Sequence, residues 1–346
     1  MELLGTEPLI WIETAHFRLG CAVSPLALKG REDWSRDWIK KTRQELTELS
    51  KVLPGIKPKT KVLDPWLRAH LIARRLELLY AEVLDILGLA DDWFPATPGD
   101  ARDPESFRGL GPYMGMKEKF TVLLLQKGAS HARYTRAFHN NEIENPIRYH
   151  DIAMSCMYWG CSEETAEGLF RNDMALHSHI TFNVAHNLYT CFRAYGHDLP
   201  PWLATGLGHW HSRRVSPRFP TYDRKHDDDT DMRSAFWEWD KRVKGLAKNE
   251  VFEPFEKLID RDNAGAFGLE QHIHAWALVD FLLATRKAET ARFLHLLKAP
   301  FHGRLRMPTD QELQIRQRDA FGEAYGVEIA ELEQLWLDSV LGKRRR

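Results

Sequence analysis

Histidines are concentrated between His177 and His211, where six of the chain's sixteen histidines lie. Four polar side chains in this stretch are three or four residues apart and therefore share one side of a helix: Asn183, His186, Asn187 and Thr190. An imidazole in such a group can bind a metal ion or move a proton near neutral pH. The pair Pro200–Pro201 then ends this helix and begins another, since proline is tolerated in a first turn.

The pentad His186–Thr190 keeps only part of the pattern of a zinc peptidase. In an H-E-x-x-H site, the two histidines bind one cation and the glutamate handles the proton of the attacking water. Here Asn187 stands at the glutamate position and Thr190 at the second histidine. An asparagine cannot act as a carboxylate base, and threonine is a poor zinc ligand. His177 and His179 precede His186 by about 10 Å along the helix and cannot share a cation with it.

These residues resemble the gluzincin-like, or peptidase MA-like, family of zinc metallopeptidases. In that family the pentad is followed by L-P-x-W-L-x-E-G-L-A, whose glutamate is the third zinc ligand. This chain reads L-P-P-W-L-A-T-G-L-G over residues 199–208, with Thr205 at the glutamate position. The resemblance covers nearly all of the chain, through an opening W-I-E-T-x-H-F-R-L-G and matching segments at His272–Leu282, Phe321–Gly326 and Leu332–Trp336. It implies that His272 stands where active relatives often place an oxyanion-stabilising tyrosine.

The resemblance implies an α+β, zincin-like (gluzincin) fold. We expect an N-terminal α+β lobe over residues 1–230, which has a small β-sheet and contains the motif helices 163–195 and 201–214. A helical C-terminal lobe is expected over residues 231–346. Hydrophobic patterns independently predict strands at Leu9–Thr14, His16–Gly20 and Phe120–Leu125, the last apolar almost throughout and therefore central.

Further patterns predict the helices and connections. Helices are expected at Asp33–Leu53, Leu67–Leu89 and Ala129–Phe138, and six more follow from Met232 onward. The Gly-, Pro- and Asp-rich stretch Asp91–Gly115 indicates a long connection, and Ile152–Trp159 is extended or ambiguous. The acidic run His226–Asp231 is typical of a solvated loop, with a metal site as the less favoured reading.

The replaced groups predict a catalytically inactive metallopeptidase-like protein with a binding or structural role. No cofactor is expected, and a peptide, cell-envelope material or another protein all stay open as partner. The alternative is a metal-dependent hydrolase or peptidase with a rearranged zinc site made by His186, His209 and His272, since three imidazoles can hold zinc. Metal-free acid–base chemistry through His186 and His272 is the other form of this alternative, and His272 could also donate a hydrogen bond to an oxyanion. A serine nucleophile is disfavoured because no G-x-S-x-G is present.

Twelve tryptophans leave a third class of protein open, a scaffold that acts through an exposed Trp-rich surface.

The composition and the N-terminal sequence limit the kinds of partner and the cellular compartments that we expect. A net charge of −1 gives no global reason to expect nucleic acid or an anionic membrane as partner. No apolar run approaches the roughly 20 residues that span a bilayer. The N-terminus has no signal-peptide pattern, so we expect either a cytoplasmic protein or, as the resemblance to exported bacterial proteins favours, a mature secreted form. A disulfide between Cys156 and Cys161 and free buried thiols both remain open.

Overall fold

The computed structural model describes residues 9–30, 33–151, 155–222, 237–262, 264–301 and 307–342. The expected lobe boundary at residue 230, the acidic run His226–Asp231 and the predicted helix start at Met232 lie outside the described residues. The chain divides into two compact units. The first unit comprises residues 1–81 and 118–180, and the second comprises residues 82–117 and 181–346.

The strands form a mixed five-stranded sheet and a short two-stranded one. The strands are β1 (Ile10–Glu13), β2 (Phe17–Cys21), β3 (Leu26–Ala27), β4 (Val62–Leu63), β5 (Phe120–Leu125), β6 (Ile147–Asp151) and β7 (Cys156–Ser162). The large sheet has the order β1-β2-β5-β7-β6, with β2, β5 and β7 parallel and both edge strands antiparallel. The predicted central position of β5 is therefore confirmed. Its continuous apolar side chains suit a strand covered on both faces.

Twelve helices make up most of the rest of the described chain, which confirms the α+β class. They are α1 (Asp33–Leu49), α2 (Pro65–Leu87), α3 (Gly128–His139), α4 (Thr165–Gly168), α5 (Asp173–Cys191), α6 (Pro201–Val215), α7 (Trp239–Lys248), α8 (Phe255–Ile259), α9 (Leu269–Thr285), α10 (Lys287–Leu297), α11 (Asp310–Tyr325) and α12 (Ile329–Leu341). The helix expected between 201 and 214 is α6, which begins at Pro201 as predicted. Among the described residues, no helix is both long and apolar enough to span a bilayer.

The motif helix expected over residues 163–195 is shorter than predicted. Gly168 has a left-handed φ of 83° and interrupts the helical path, and the Asn172 side chain then accepts hydrogen bonds from the backbone of Met174 and Ala175. These contacts start α5 at Asp173. The helix ends at Cys191 because Arg193 and Ala194 both take positive φ angles, 61° and 73°. A long helix cannot continue through residues in that conformation.

Buried ion pairs connect the elements of the first unit. Arg68 of α2 lies 2.7 Å from Glu163, and both side chains are almost completely buried. Arg75 lies about two turns further along α2. It pairs with Asp173 at 2.8 Å and with Glu45 of α1 at 2.7 Å. Removal of one partner from such a pair leaves an uncompensated buried charge, at a cost of about 3–5 kcal/mol. These pairs therefore fix the orientation of α1 and α2 within this unit.

All four cysteines are free and buried. Cys156 and Cys161 lie on the same strand, β7, five residues apart, which places their Cα atoms about 16 Å from each other in an extended chain. A disulfide needs a Cα separation below about 7 Å. The Cys156–Cys161 pairing that the sequence left open is therefore wrong.

Two glycines of α6 allow the helices of the second unit to approach closely. A Cβ atom built on Gly206 would lie 2.5 Å from the carbonyl oxygen of Ala275 and 2.5 Å from Cγ2 of Val279, both on α9. A Cβ atom on Gly208 would lie 2.9 Å from the ring of Phe182 on α5. The sequence G-L-G in α6 therefore lets this helix pack tightly against α5 on one side and α9 on the other.

We expect the substitution Gly206→Ala to destabilise the protein by about 2–3 kcal/mol, because the new methyl group must displace helix backbone in a packed core. The matched control is Gly322→Ala in α11, where a Cβ meets nothing among the described residues within 4 Å. That change should stabilise by up to about 1 kcal/mol, because alanine favours the helix. Urea unfolding of both variants measures the difference. Equal effects would show that α6 and α9 do not approach as closely as described.

Candidate functional site

The polar face of α5 is buried rather than exposed. Asn187 is 2% exposed and Thr190 is completely buried, whereas His186 is half-buried. The Nδ1 atom of His186 lies 3.5 Å from the Thr190 hydroxyl, at the outer limit of a hydrogen bond. The two positions that would both carry histidine in a zinc peptidase therefore face each other one helical turn apart, as their spacing predicts.

Thr205, which the resemblance aligns with the third zinc ligand of gluzincins, lies in the interior of the second unit. Its side chain is fully buried on α6, and its hydroxyl has no hydrogen-bond partner among the described residues. The local sequence explains this burial: Leu203 and Leu207 are also fully buried, and Gly206 allows α9 to cover the helix. A threonine tolerates this environment, since an unpaired hydroxyl costs far less than an unpaired carboxylate.

A buried pair of histidines lies one turn beyond Thr205. The Nε2 atom of His209 on α6 is 3.0 Å from Nδ1 of His272 on α9, and both side chains are completely buried. Burial, followed by the neighbouring His272 and Arg213, lowers the pKa of His209 well below its usual value. A neutral imidazole can donate one proton and accept another, so one ring donates to the other.

Aromatic rings enclose this pair of histidines. The His209 ring contacts those of Phe182 and Trp239, with centroids 4.9 and 4.8 Å away. The His272 ring contacts Tyr222 and Phe267 at 4.9 and 5.7 Å. The enclosure keeps water from both imidazoles, which accounts for the lowered pKa of His209.

A guanidinium packs next to the same enclosure. Arg213 lies between the indole rings of Trp239 and Trp276, 4.0 and 4.5 Å from their centroids. One of its NH groups donates to the carbonyl of Trp237 at 3.2 Å. Burial lowers the pKa of Arg213 to about 10. The contact with two electron-rich ring faces offsets part of the cost of burying this cation.

The sequence did not indicate a second hydrogen-bonded chain in this unit. The ring of His211 connects the hydroxyl of Tyr189 to the carboxylate of Glu82, at 3.0 Å on each side. Burial lowers the pKa of His211, and the hydrogen bond to Glu82 opposes that shift. Both His209 and His211 are buried. The sequence signal for this chain is weak, because Glu82 is one of three acidic residues in the second half of α2.

The structure brings some of the predicted site residues together. His186 contacts Thr190, and His209 contacts His272. Within the part of the chain that the structure describes, no group of three or more His, Cys, Asp or Glu side chains is arranged to hold a metal ion. The Nε2 atom of His197 lies 2.9 Å from the carbonyl oxygen of Leu297.

The comparisons with known proteins identify no relative. No family model matches the sequence, no curated protein matches it, and no solved structure matches the fold. The α+β class is therefore established by the strands and helices alone. The likeness to gluzincins stays a prediction that rests on the motif residues quoted above.

His274, two residues after His272 on α9, provides a test of how this interior responds to acid. Its ring is surrounded by Phe252, Trp336 and Phe255, with centroids 4.6, 4.9 and 6.4 Å away. Neither ring nitrogen has a hydrogen-bond partner among the described residues. Burial lowers the pKa of His274 to about 4, a shift that Glu253 opposes.

We expect the substitution His274→Phe to reduce the loss of stability in acid. Between pH 6.5 and about 4 the unfolded chain binds a proton at this histidine and the folded chain does not, so stability falls with decreasing pH. The contribution is about 1.4 kcal/mol per pH unit for one group. Urea unfolding at pH 8, 6 and 5 should therefore give a shallower dependence for the variant. At pH 8 the variant should be at least as stable, because a phenyl ring leaves no unpaired nitrogen. A pH dependence equal to that of the wild type would contradict the burial of His274.

Proposed function

We propose that this chain is a catalytically inactive, zincin-like protein, a pseudo-peptidase with a binding or structural role. The observation that supports this proposal is the burial of Asn187, Thr190 and Thr205 at the positions where a gluzincin carries its base and two of its ligands. Their side chains contribute to the packing of the second unit. A threonine hydroxyl or an asparagine amide in these positions supplies no carboxylate base and no strong zinc ligand.

The surroundings of His209 and His186 also support the proposal that the protein is inactive. General base catalysis requires a group that reaches the substrate and has a pKa near the working pH. His209 is enclosed by aromatic rings, and its pKa is far below 6.5. His186 is the partly exposed member of the set, and its Nδ1 atom lies 3.5 Å from the Thr190 hydroxyl. A peptide or protein ligand therefore meets a surface on which His186 is a contact residue.

A zinc-dependent hydrolase is the second candidate, and the contact between His209 and His272 favours it. Their facing nitrogens are 3.0 Å apart. Two nitrogens that bind one tetrahedral zinc ion at about 2.05 Å each are roughly 3.3 Å apart, so a small movement would admit the ion. In this candidate His186 supplies the third ligand, and the bound zinc would activate a water molecule.

Incubation with casein and a broad peptide library, with and without added zinc, separates the two candidates. We expect no cleavage under either condition and no stoichiometric zinc in protein purified without chelator or affinity tag. Metal-dependent cleavage that disappears in both His186→Ala and His209→Ala would establish the second candidate instead. The variant His197→Ala is the control, because its imidazole is held by the Leu297 carbonyl and belongs to neither proposed ligand set.

Restoration of the missing groups tests the likeness to zincins itself. The triple substitution Asn187→Glu, Thr190→His and Thr205→Glu places a complete ligand set and base around His186. If the backbone is that of a zincin, zinc should raise the unfolding temperature of the triple variant and leave that of the wild type unchanged. Addition of His186→Ala to the triple variant should abolish the effect. A triple variant that shows native circular dichroism but no response to zinc would contradict the zincin-like geometry.

A further inference from the structure

A basic groove lies on the surface of the first unit and has a volume of about 860 Å³. Five cationic side chains line it: Lys29, Arg36, Lys40, Arg43 and Lys59. Leu28, Ile39 and Pro58 add apolar surface. None of the described side chains that line the groove is acidic. We refer to this feature as the basic groove.

The local fold explains how these side chains meet. Arg36, Lys40 and Arg43 are spaced four and three residues apart on α1, so they lie on one face of that helix. Lys29 follows β3 and Lys59 precedes β4. These two strands pair antiparallel, and the Leu28 amide donates to the Lys61 carbonyl at 2.9 Å, which brings both lysines to the same end of the pair.

A buried apolar cluster holds α1 against these two strands. Its members are Leu28, Leu46, Leu49, Leu63, Leu67 and Leu71, with Ile39 packed at its edge. The backbone positions of the five cations therefore do not depend on a ligand. A site that is already formed loses less entropy when it binds than one that must be ordered.

Four of the five cations of the basic groove have no carboxylate partner in the part of the chain that the structure describes. Among the described residues, Lys29, Lys40, Arg43 and Lys59 form no ion pair with a carboxylate, and all four side chains are exposed. A neighbouring depression on α1 differs, because its lining contains Glu45 and Glu48 beside Lys41 and Arg74. Positive potential is therefore concentrated on one side of the helix, where it favours an anion with several charges.

We propose that the basic groove binds a small organic molecule that carries a polyphosphate group. Its volume lies within the range of about 300–1,000 Å³ that is usual for small-molecule sites. Phosphate oxygens can accept hydrogen bonds from several of these cations at once, and the arginine forks match phosphate geometry. The apolar side chains Leu28, Ile39 and Pro58 offer contact area for the organic part. None of these residues belongs to the candidate site around His186, so this binding is independent of the proposed function.

Calorimetric titration with sodium tripolyphosphate and with ATP in the absence of divalent metal tests the proposal. We expect both anions to bind the wild type, ATP more tightly, and both more weakly as NaCl is raised. The double variant Lys40→Gln and Arg43→Gln should weaken each by about tenfold or more, since two ionic hydrogen bonds to phosphate are lost. The matched control is Lys41→Gln with Lys51→Gln, which removes the same charge outside the groove and should change each affinity by less than about threefold.

Three results would overturn the proposal. The first is the absence of binding by either anion, and the second is equal binding by the double variant and the control. Both variants change exposed side chains, and matching circular dichroism and unfolding midpoints would show that they are folded. The third is binding to vesicles that contain phosphatidylinositol bisphosphate without binding to tripolyphosphate or ATP, which would assign the cations to a membrane surface. ATP bound no more tightly than tripolyphosphate would remove the role given to the apolar side chains.

Discussion

The close approach of α6 to α9 determines the character of the interior in the second unit. Gly206 has no side chain, so the carbonyl of Ala275 lies where a Cβ atom would otherwise be. At this distance the side chains on either side of the glycine lose contact with water. Thr205 and His209 of α6 and His272 of α9 are all completely buried. Helix packing, rather than a cavity shaped for a ligand, is therefore the environment of these polar groups.

Desolvation then determines the chemistry available to those groups. A charged imidazole is disfavoured in a dry interior, which leaves His209 neutral and able to form a hydrogen bond with His272. The buried ring of His211 satisfies both of its nitrogens in another way, since it bridges a tyrosine hydroxyl and a carboxylate. Buried polar groups that form such chains rigidify a core and restrict its alternatives. The proposed loss of peptidase activity is consistent with polar residues that serve the packing of helices.

Local patterns predicted the elements whose signals are strong. The apolar run at β5 identified the central strand, and the proline at position 201 identified the first turn of α6. The edge strand β6 was missed because its sequence, I-R-Y-H-D, is short and contains only two apolar residues, so its alternation is a weak signal. The bounds 163–195 given for the motif helix were too wide, because the interruption before α5 depends on a left-handed glycine and an asparagine side chain, which helical periodicity does not show.

The partners of the site residues could not be predicted for a different reason. The spacing within α5 correctly placed His186 and Thr190 one turn apart, since both lie on one helix. His209 and His272 are 63 residues apart in the sequence, and Glu82 and His211 are 129 apart. No local pattern connects such residues, because their contact depends on which helices pack together. Similarly, polar and apolar side chains are mixed around α5, so its sequence did not indicate which face would be buried.

The net charge of the whole chain does not show that one of its segments is strongly positive. A net charge of −1 gave no reason to expect an anionic partner. Residues 29–61, however, contain ten lysines and arginines and five acidic residues, so this segment is strongly positive within a nearly neutral chain. Exposed charges act over roughly 8–10 Å at physiological ionic strength. An approaching anion therefore responds to the cations of the basic groove and not to acidic residues elsewhere, and the relevant quantity for binding is the local field.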